Sequence, residues 1–430
     1  MKVLLIGSGG REHAIAHSLS KSSKISSLFC APGNPGTFQC ATNVNIKADD
    51  LDALLSFAKD EQIDLTFVGP EQPLALGIVD SFKQHGLVIV GPDKIASQLE
   101  SSKSWAKAKY KEYGIPTAEY EEFTDFDSAI GYIQTKNTFP IVIKADGLAA
   151  GKGVTIAENI DHAEAALRDC FINKVFDTAG SLVVIEDFLV GEEASLFAFT
   201  DGQTVLPMIS AQDHKAIFDG DKGPNTGGMG AYSPAPVFTN DVEKKVMDRI
   251  LKPIVEGFKA DGINYNGILY AGLMIDGKGD PYVVEFNIRF GDPETQIVLP
   301  KLKTDLLDVL VAISNQTLDQ IELDWSDGYS VCIVMASEGY PGAYKKGLHI
   351  SGLNDSSDSR TFVYHAGTSL DESGEYKTNG GRVLNVCAED ESLENAIDAA
   401  YKRCGSIQFD GAYYRRDIGF KGVDRLKQLA

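Results

Sequence analysis

The chain has 430 residues, 43% hydrophobic and 23% charged, an ordinary composition for a globular protein of about three domains. Forty basic against sixty-one acidic side chains leave a net charge of −21, which repels nucleic acid and argues against a polyanion-binding role. Six scattered cysteines without a C-x-x-C pair exclude a zinc finger or a disulfide framework, and without a membrane-length apolar run or a leader core the expected address is cytoplasmic.

Residues 2–6 read as a short buried strand, and 11–20 follow with the helical spacing of Ala14, Ile15 and Leu19. Further strands are expected at 27–30, 65–68 and 87–90. Residues 49–60 place Leu51, Leu54, Leu55 and Ala58 on one helical stripe. Several of these strands end in Gly- or Pro-rich turns (GSGG, APGNPG, VGPEQP, VGP). Such alternation predicts an α/β fold with a parallel sheet and ligands at the carboxyl ends of its strands. A helix over 102–113 stops at Gly114 and Pro116, and a βαβ-like unit runs from 139 to 189. The stretch 201–236 shows little periodicity and mixes Gly and Pro with Phe, Met, Tyr and His, so it reads as a functional loop. Strands return at 267–275 and 281–286. A last segment carries strands at 331–336 and 383–387 and a helix at 392–404.

Gly7, Gly9 and Gly10 sit between strand and helix, where backbone amides can face an anion. A dinucleotide fingerprint fails there: Glu12 occupies the third glycine position, and no acidic residue occurs from 13 through 48. A lone sugar phosphate fits better than NAD. The run FPIVIKADGLAAGKGV approaches a Walker A loop but has the wrong glycine spacing and no Ser or Thr after Lys152. It reads as a glycine-rich hairpin able to close over a triphosphate, with positive charge from Lys144 and Lys152. Lys144 alternates with Val142 on an apolar strand and needs a partner or a ligand. A strand over 182–189 ends in IEDFL, whose backbone can meet an adenine edge, and Glu193 can accept from ribose hydroxyls.

In YVVEFNIRFGDPE, period two places Val283, Glu285, Asn287 and Arg289 on one strand face and Val284, Phe286 and Ile288 on the other. Glu285 and Asn287 are hard oxygen donors of the kind Mg²⁺ accepts beside nucleotide phosphates. Arg289 then stands where a phosphoryl group or a carboxylate is clamped.

A lysine, a closing glycine loop, an acidic strand and a Glu-x-Asn strand, in this order, resemble the ATP-grasp superfamily. GSGGREH, VGPE at 68–71, the 141–154 run, QDHK at 212–215, GPNTGGMGAYSPAP at 223–236, EFN-x-RFGDPETQ at 285–296, HAGT and NGGRV resemble, more closely, the phosphoribosylamine–glycine ligase family over essentially the whole chain. The resemblance implies that ATP, glycine and 5-phosphoribosylamine give glycinamide ribonucleotide, ADP and phosphate through glycyl phosphate, in purine biosynthesis. It also implies an ATP-grasp fold with an N-terminal parallel α/β domain (1–101), an ATP-grasp domain (102–327, with a lid at about 118–190) and a C-terminal α+β domain (328–430). Carried over by residue, Lys103 and Lys144 contact the nucleotide phosphates, and the loop with Gly147, Gly151, Lys152 and Gly153 closes over them. Glu186, Asp187, Phe188 and Leu189 hold adenine, and Glu193 holds ribose. Glu285 and Asn287 bind Mg²⁺, with Mn²⁺ an alternative. Arg289, Asp213 and Asp292 organise the glycine and acyl-phosphate region, while Gly9, Gly10 and Arg382 meet the sugar phosphate. A monomer without nucleic-acid or membrane partners is expected. The sequence departs from the wider superfamily at Gly272, where many members place a third acidic metal ligand. The rival readings are an ATP-grasp ligase for another carboxylate, a nucleotide-binding regulator without catalysis, and a dehydrogenase.

Overall fold

The computed structural model describes residues 1–148, 153–354 and 358–429. Gly151 and Lys152, expected in the closing loop, lie outside the described residues. Five parallel strands open the chain, Lys2–Gly7, Ser27–Pro32, Thr42–Asn43, Leu65–Val68 and Ile89–Val90, with the first at the centre between the second and the fourth. Lys2–Gly7 is apolar without alternation because both its faces are covered: Leu4 and Ile6 belong to one buried cluster, Val3 and Leu5 to another. The strand order reverses between the first and fourth strands, so the loops after Gly7 and after Val68 open into one crevice.

Helix starts follow local side-chain chemistry. Asp50 accepts from Ala53 N–H at 3.1 Å, so the helix runs Leu51–Asp60 with the acid outside it. Ser102 accepts from Trp105 N–H at 3.2 Å and starts Lys103–Glu112. Each cap contributes about 1 kcal/mol.

The 139–189 unit is a hairpin followed by a crossover rather than a simple βαβ. Its sheet runs Tyr120–Phe123, Val183–Asp187, Ile141–Ala145, Val154–Ala157, with antiparallel neighbours throughout. Helices Phe126–Lys136 and Ile160–Phe171 contribute Ala129, Ile133, Ala163 and Leu167 to a core shared with Ile141, Ile143 and Ile185. This sheet, the one expected to be a lid, therefore carries its own core, separate from those of the body. A second antiparallel sheet, Val205–Pro207, Glu192–Thr200, Gly267–Ile275 and Pro281–Asn287, forms the body of the middle region. Its long strand Glu192–Thr200 did not stand out by pattern, because Ala194 to Thr200 is uniformly buried and does not alternate.

The 201–236 stretch is not a structureless loop. It holds the short strands Val205–Pro207, Gln212–Asp213, Ala216–Phe218, Lys222–Asn225 and Gly230–Ser233. Gly230–Ser233 pairs on one side with Gln212–Asp213 and on the other with Tyr329–Ala336, which continues through Arg382–Asp390 to Thr361–His365. One sheet thus spans the middle and C-terminal regions. No helix among the described residues is long and apolar enough to cross a membrane.

Candidate active site

A cavity of about 380 Å³ lies where the lid sheet, the body sheet, the N-terminal crevice and the start of Arg382–Asp390 meet. Among the described residues it is lined by Lys103, Lys144, Gly153, Glu186–Leu189, Glu193, Asp213, Glu285, Asn287, Arg289, Asp292 and Arg382, all singled out from sequence.

The lid wall is cationic. Period two holds on Ile141–Ala145: Ile141, Ile143 and Ala145 enter the lid core, while Val142 and Lys144 line the cavity. Lys144 finds the partner its burial requires. Its Nζ lies 2.9 Å from Glu186 Oε1 and donates to the Val284 carbonyl at 3.0 Å. Glu186 Oε2 lies 2.9 Å from Lys107 Nζ, so two ammonium groups share one carboxylate. Burial pulls Lys107 down to about 8 despite Glu186. Glu186 is thus committed to the lysines through its side chain, and the strand ends at Asp187, two residues before the expected boundary. Phe188 and Leu189 line the cavity beyond the sheet ladder. Lys103, also lowered by burial, donates to the Gly147 carbonyl at 3.1 Å.

The opposite wall is the strand Pro281–Asn287. Its pairing with Gly267–Ile275 slips by one residue: Gly272 faces Glu285 while Leu273 faces Val283, leaving Val284 as a bulge. The bulge corrects the expected faces. Val283 packs in the core with Phe286 and Ile288, and Val284 turns to the cavity beside Glu285 and Asn287. Burial raises Glu285, but Lys215, Lys144 and Lys103 outweigh it and hold the carboxyl below its usual value. Asn287 Nδ2 donates to the Phe286 carbonyl at 3.1 Å, so the amide oxygen is the atom a cation could use. The pair therefore suits a hard divalent cation that shares its shell with phosphate oxygens. Among the described residues no three His, Cys, Asp or Glu side chains form a metal cage. Gly272 supplies none, and a Cβ there would already stand 3.4 Å from Glu285 Cγ.

Arg289 lies past the end of this strand rather than on it. Its Nη2 donates to Glu100 Oε1 at 2.6 Å, its Nε to Glu71 Oε2 at 3.2 Å and its Nη1 to the Phe290 carbonyl at 3.2 Å. Burial pushes Glu100 up to about 7, whereas Arg289 and Arg11 overcome burial at Glu71 and hold it at about 2. Asp292 is lowered in spite of burial, with Arg382 Nη1 at 3.5 Å and Gln296 donating to it at 2.7 Å. Arg382 also donates to the carbonyls of Gly227 (2.6 Å) and Asp292 (2.7 Å), tying the GPNTGG loop to the cavity. Burial lifts Asp213 to about 8, with Lys215 opposing. Lys215 Nζ lies 3.5 Å from Glu193 and 3.8 Å from Glu285.

The first glycine loop departs from expectation. Gly9 N–H donates to Glu12 Oε2 at 2.6 Å, so this amide is spent on the helix's own acid. Glu12 needs the room the glycines leave: a Cβ on Gly7 or Gly69 would stand 2.4 Å or 2.2 Å from it. Neither Gly9 nor Gly10 lines the cavity, although Arg11 does. Sequence reasoning also missed Glu71, Glu100, Lys107 and Lys215. Glu71 and Lys215 lay inside quoted motifs, whereas Glu100 and Lys107 carried no signal.

Comparison with known proteins identifies the family. Residues 1–100 match the N domain of phosphoribosylglycinamide synthetase, residues 101–295 its ATP-grasp (A) domain and residues 330–421 its C domain. Phosphoribosylamine–glycine ligase of Escherichia coli (strain K12) is 49% identical over 427 residues, covering 99% of both chains. That of Halalkalibacterium halodurans is 50% identical over 423 residues, 98% of this chain and 97% of the other. The crystal structure of phosphoribosylamine–glycine ligase from Thermotoga maritima superposes with a TM-score of 0.83 at 32% identity, covering 97% of this chain and all of that one. The biotin carboxylase domain of Hydrogenobacter thermophilus 2-oxoglutarate carboxylase, solved with MgADP and bicarbonate, shares the fold at a TM-score of 0.73 and 15% identity, over 96% of this chain and 91% of that one. By full-length matches to all three of its domains, the chain belongs to the phosphoribosylglycinamide synthetase family.

Proposed function

We propose that the chain activates glycine as glycyl phosphate at the cavity between the lid sheet and the strand Pro281–Asn287. Family membership makes it an ATP-dependent ligase that joins glycine to phosphoribosylamine in purine biosynthesis. The acyl-phosphate route and the residue roles are our reading.

Lys103 and Lys144 hold the triphosphate from the lid side, where Leu148, Gly153 and Val154 also line the cavity. Backbone of 186–189 meets adenine, and Glu193 meets ribose. Glu285 and the Asn287 oxygen would hold Mg²⁺, or Mn²⁺ in its place; when bound, the ion neutralises charge on the phosphate oxygens. Glycine's carboxylate attacks the γ-phosphorus, the bond to the β–γ bridging oxygen breaks and ADP departs, while Arg289 balances the charge that builds on the transferred group. The amine of phosphoribosylamine then displaces phosphate from the acyl carbon. Phosphate leaves with the proton the amine sheds, while Asp213 and Asp292 organise the acyl-phosphate region, Asp292 together with Arg382. Arg382 receives the sugar phosphate, with Arg11 from the first turn of the Gly10–Ser20 helix lining the same cavity. Acyl phosphates hydrolyse, so a cover with its own core suits the chemistry. The same reading divides the chain at 101/102 and 327/328, takes 118–190 as the lid, and places the protein in the cytoplasm.

The observation that carries it is that Lys144 and Glu285 line one cavity from opposite sheets. Phosphate release should require ATP, Mg²⁺, glycine and freshly generated phosphoribosylamine together. Release that persists without glycine would refute the assignment.

A further inference from the structure

We propose that Glu100 is a positioning residue for Arg289, fixing the guanidinium at the wall where the acyl phosphate forms. The proposal rests on the ligase reading above.

Arg289 needs such a device because of where it lies. The strand ends at Asn287, so no ladder pairing fixes the backbone that carries Arg289. Glu100 replaces that pairing with a single carboxylate. Its Oε2 accepts the Ile288 backbone N–H at 2.8 Å, and its Oε1 accepts from Arg289 Nη2 at 2.6 Å. Backbone and side chain are therefore pinned by the same group, whose side chain is only 7% exposed. Glu71 on Nε and the Phe290 carbonyl on Nη1 complete three directions around a planar fork. Of the five N–H donors of a guanidinium, these contacts take three and leave two without a partner among the described residues. Because the group is rigid and planar, fixing these three donors also sets the direction of the remaining two, and Arg289 lines the cavity. Glu100 sits on the short helix Gln98–Ser101, directly before the helix that begins at Lys103. The segment that aims Arg289 at the acceptor thus also carries a lysine assigned to the nucleotide.

A purely architectural ion pair would predict something different: loss of stability with every substrate affected alike. Positioning predicts a selective loss, since displacing a group that acts in the transition state lowers kcat more than it weakens nucleotide binding. Glu100→Ala and Glu100→Gln should be compared with wild type for kcat, glycine KM and MgADP affinity by calorimetry. The Gln side chain keeps the shape but has one acceptor oxygen, enough for Ile288 or for Arg289 but not for both. We expect kcat to fall about tenfold or more in Glu100→Ala, with a raised glycine KM, and about threefold in Glu100→Gln, with MgADP affinity unchanged in both. Should Glu100→Ala not fold, Glu100→Gln decides on the same readings. Kinetics of the folded variants within about twofold of wild type would overturn the role, as would MgADP affinity that falls in step with kcat. Glycine-independent phosphate release by the wild type would instead overturn the ligase reading itself.

Discussion

The lid sheet and the strand Pro281–Asn287 bury charge in different ways across one cavity. On the lid side, Lys144 and Lys107 share Glu186, and Lys103 stands nearby with a backbone carbonyl, so positive charge is in excess. Past the end of the opposite strand, Glu71 and Glu100 bracket Arg289, with Arg11 also 3.9 Å from Glu71, while Glu285 leans on Lys215 at 3.8 Å, so acids and cations are close to balanced. The difference teaches a division of labour. A polyphosphate is drawn to the lid wall, and a cation is drawn to the strand that faces it.

Glu285→Ala removes the carboxylate assigned to the cation. Losing the anionic donor should cut kcat on the order of 100-fold while the circular dichroism melt is preserved. Wild-type turnover at limiting Mg²⁺ would remove the cation from that wall. Next, Glu186→Gln strips the shared anion from two buried ammonium groups that lie on the lid sheet and on the helix Lys103–Glu112. A loss of about 3 kcal/mol is expected in urea unfolding. An unchanged midpoint would show that the lid wall does not need its counter-charge. Lys144→Ala should raise the ATP KM about tenfold with a smaller change in kcat. If neither moves, Lys144 is an architectural group and the lid wall holds the nucleotide by other means.

The smallest effect separates the two acids that flank Arg289. Glu100, raised to about 7 from 4.5, keeps its proton in the fold while the unfolded chain has lost it, so its contribution falls as pH rises from 4.5 to 7. Glu71, held at about 2, behaves conversely: its contribution is present above 4.5 and is lost as pH falls towards 2. Relative to wild type, Glu100→Gln should therefore gain Tm, on the order of 2 °C, between pH 5 and 8. Glu71→Gln should not gain over that range. Parallel Tm profiles for the two variants would erase the distinction.

Much of this site could be read from local pattern. Alternation put Lys144 and Val142 on a ligand-facing side and found Glu285 and Asn287 together, because period two is intrinsic to a strand. It failed at Val283, since the bulge at Val284 is set by pairing with Gly272 and Leu273, which the strand's own sequence does not encode. The same limit hid Glu100: its partners are 188 and 189 residues away, and its own surroundings look like an ordinary helix end. The short strands in 201–236 escaped because two to four residues cannot display a period. Gly9 was misread for a related reason: Glu12 counted as a missing glycine, although its carboxylate is what occupies the amide.

The sheet that runs from Gln212–Asp213 to Thr361–His365 joins the middle and C-terminal regions. Ending the chain before Tyr329–Ala336 would leave Gly230–Ser233 as a naked edge and strand the two-residue piece that bears Asp213. The C-terminal region therefore cannot be trimmed away or grafted from a distant relative without re-matching that seam to the strand that carries Asp213.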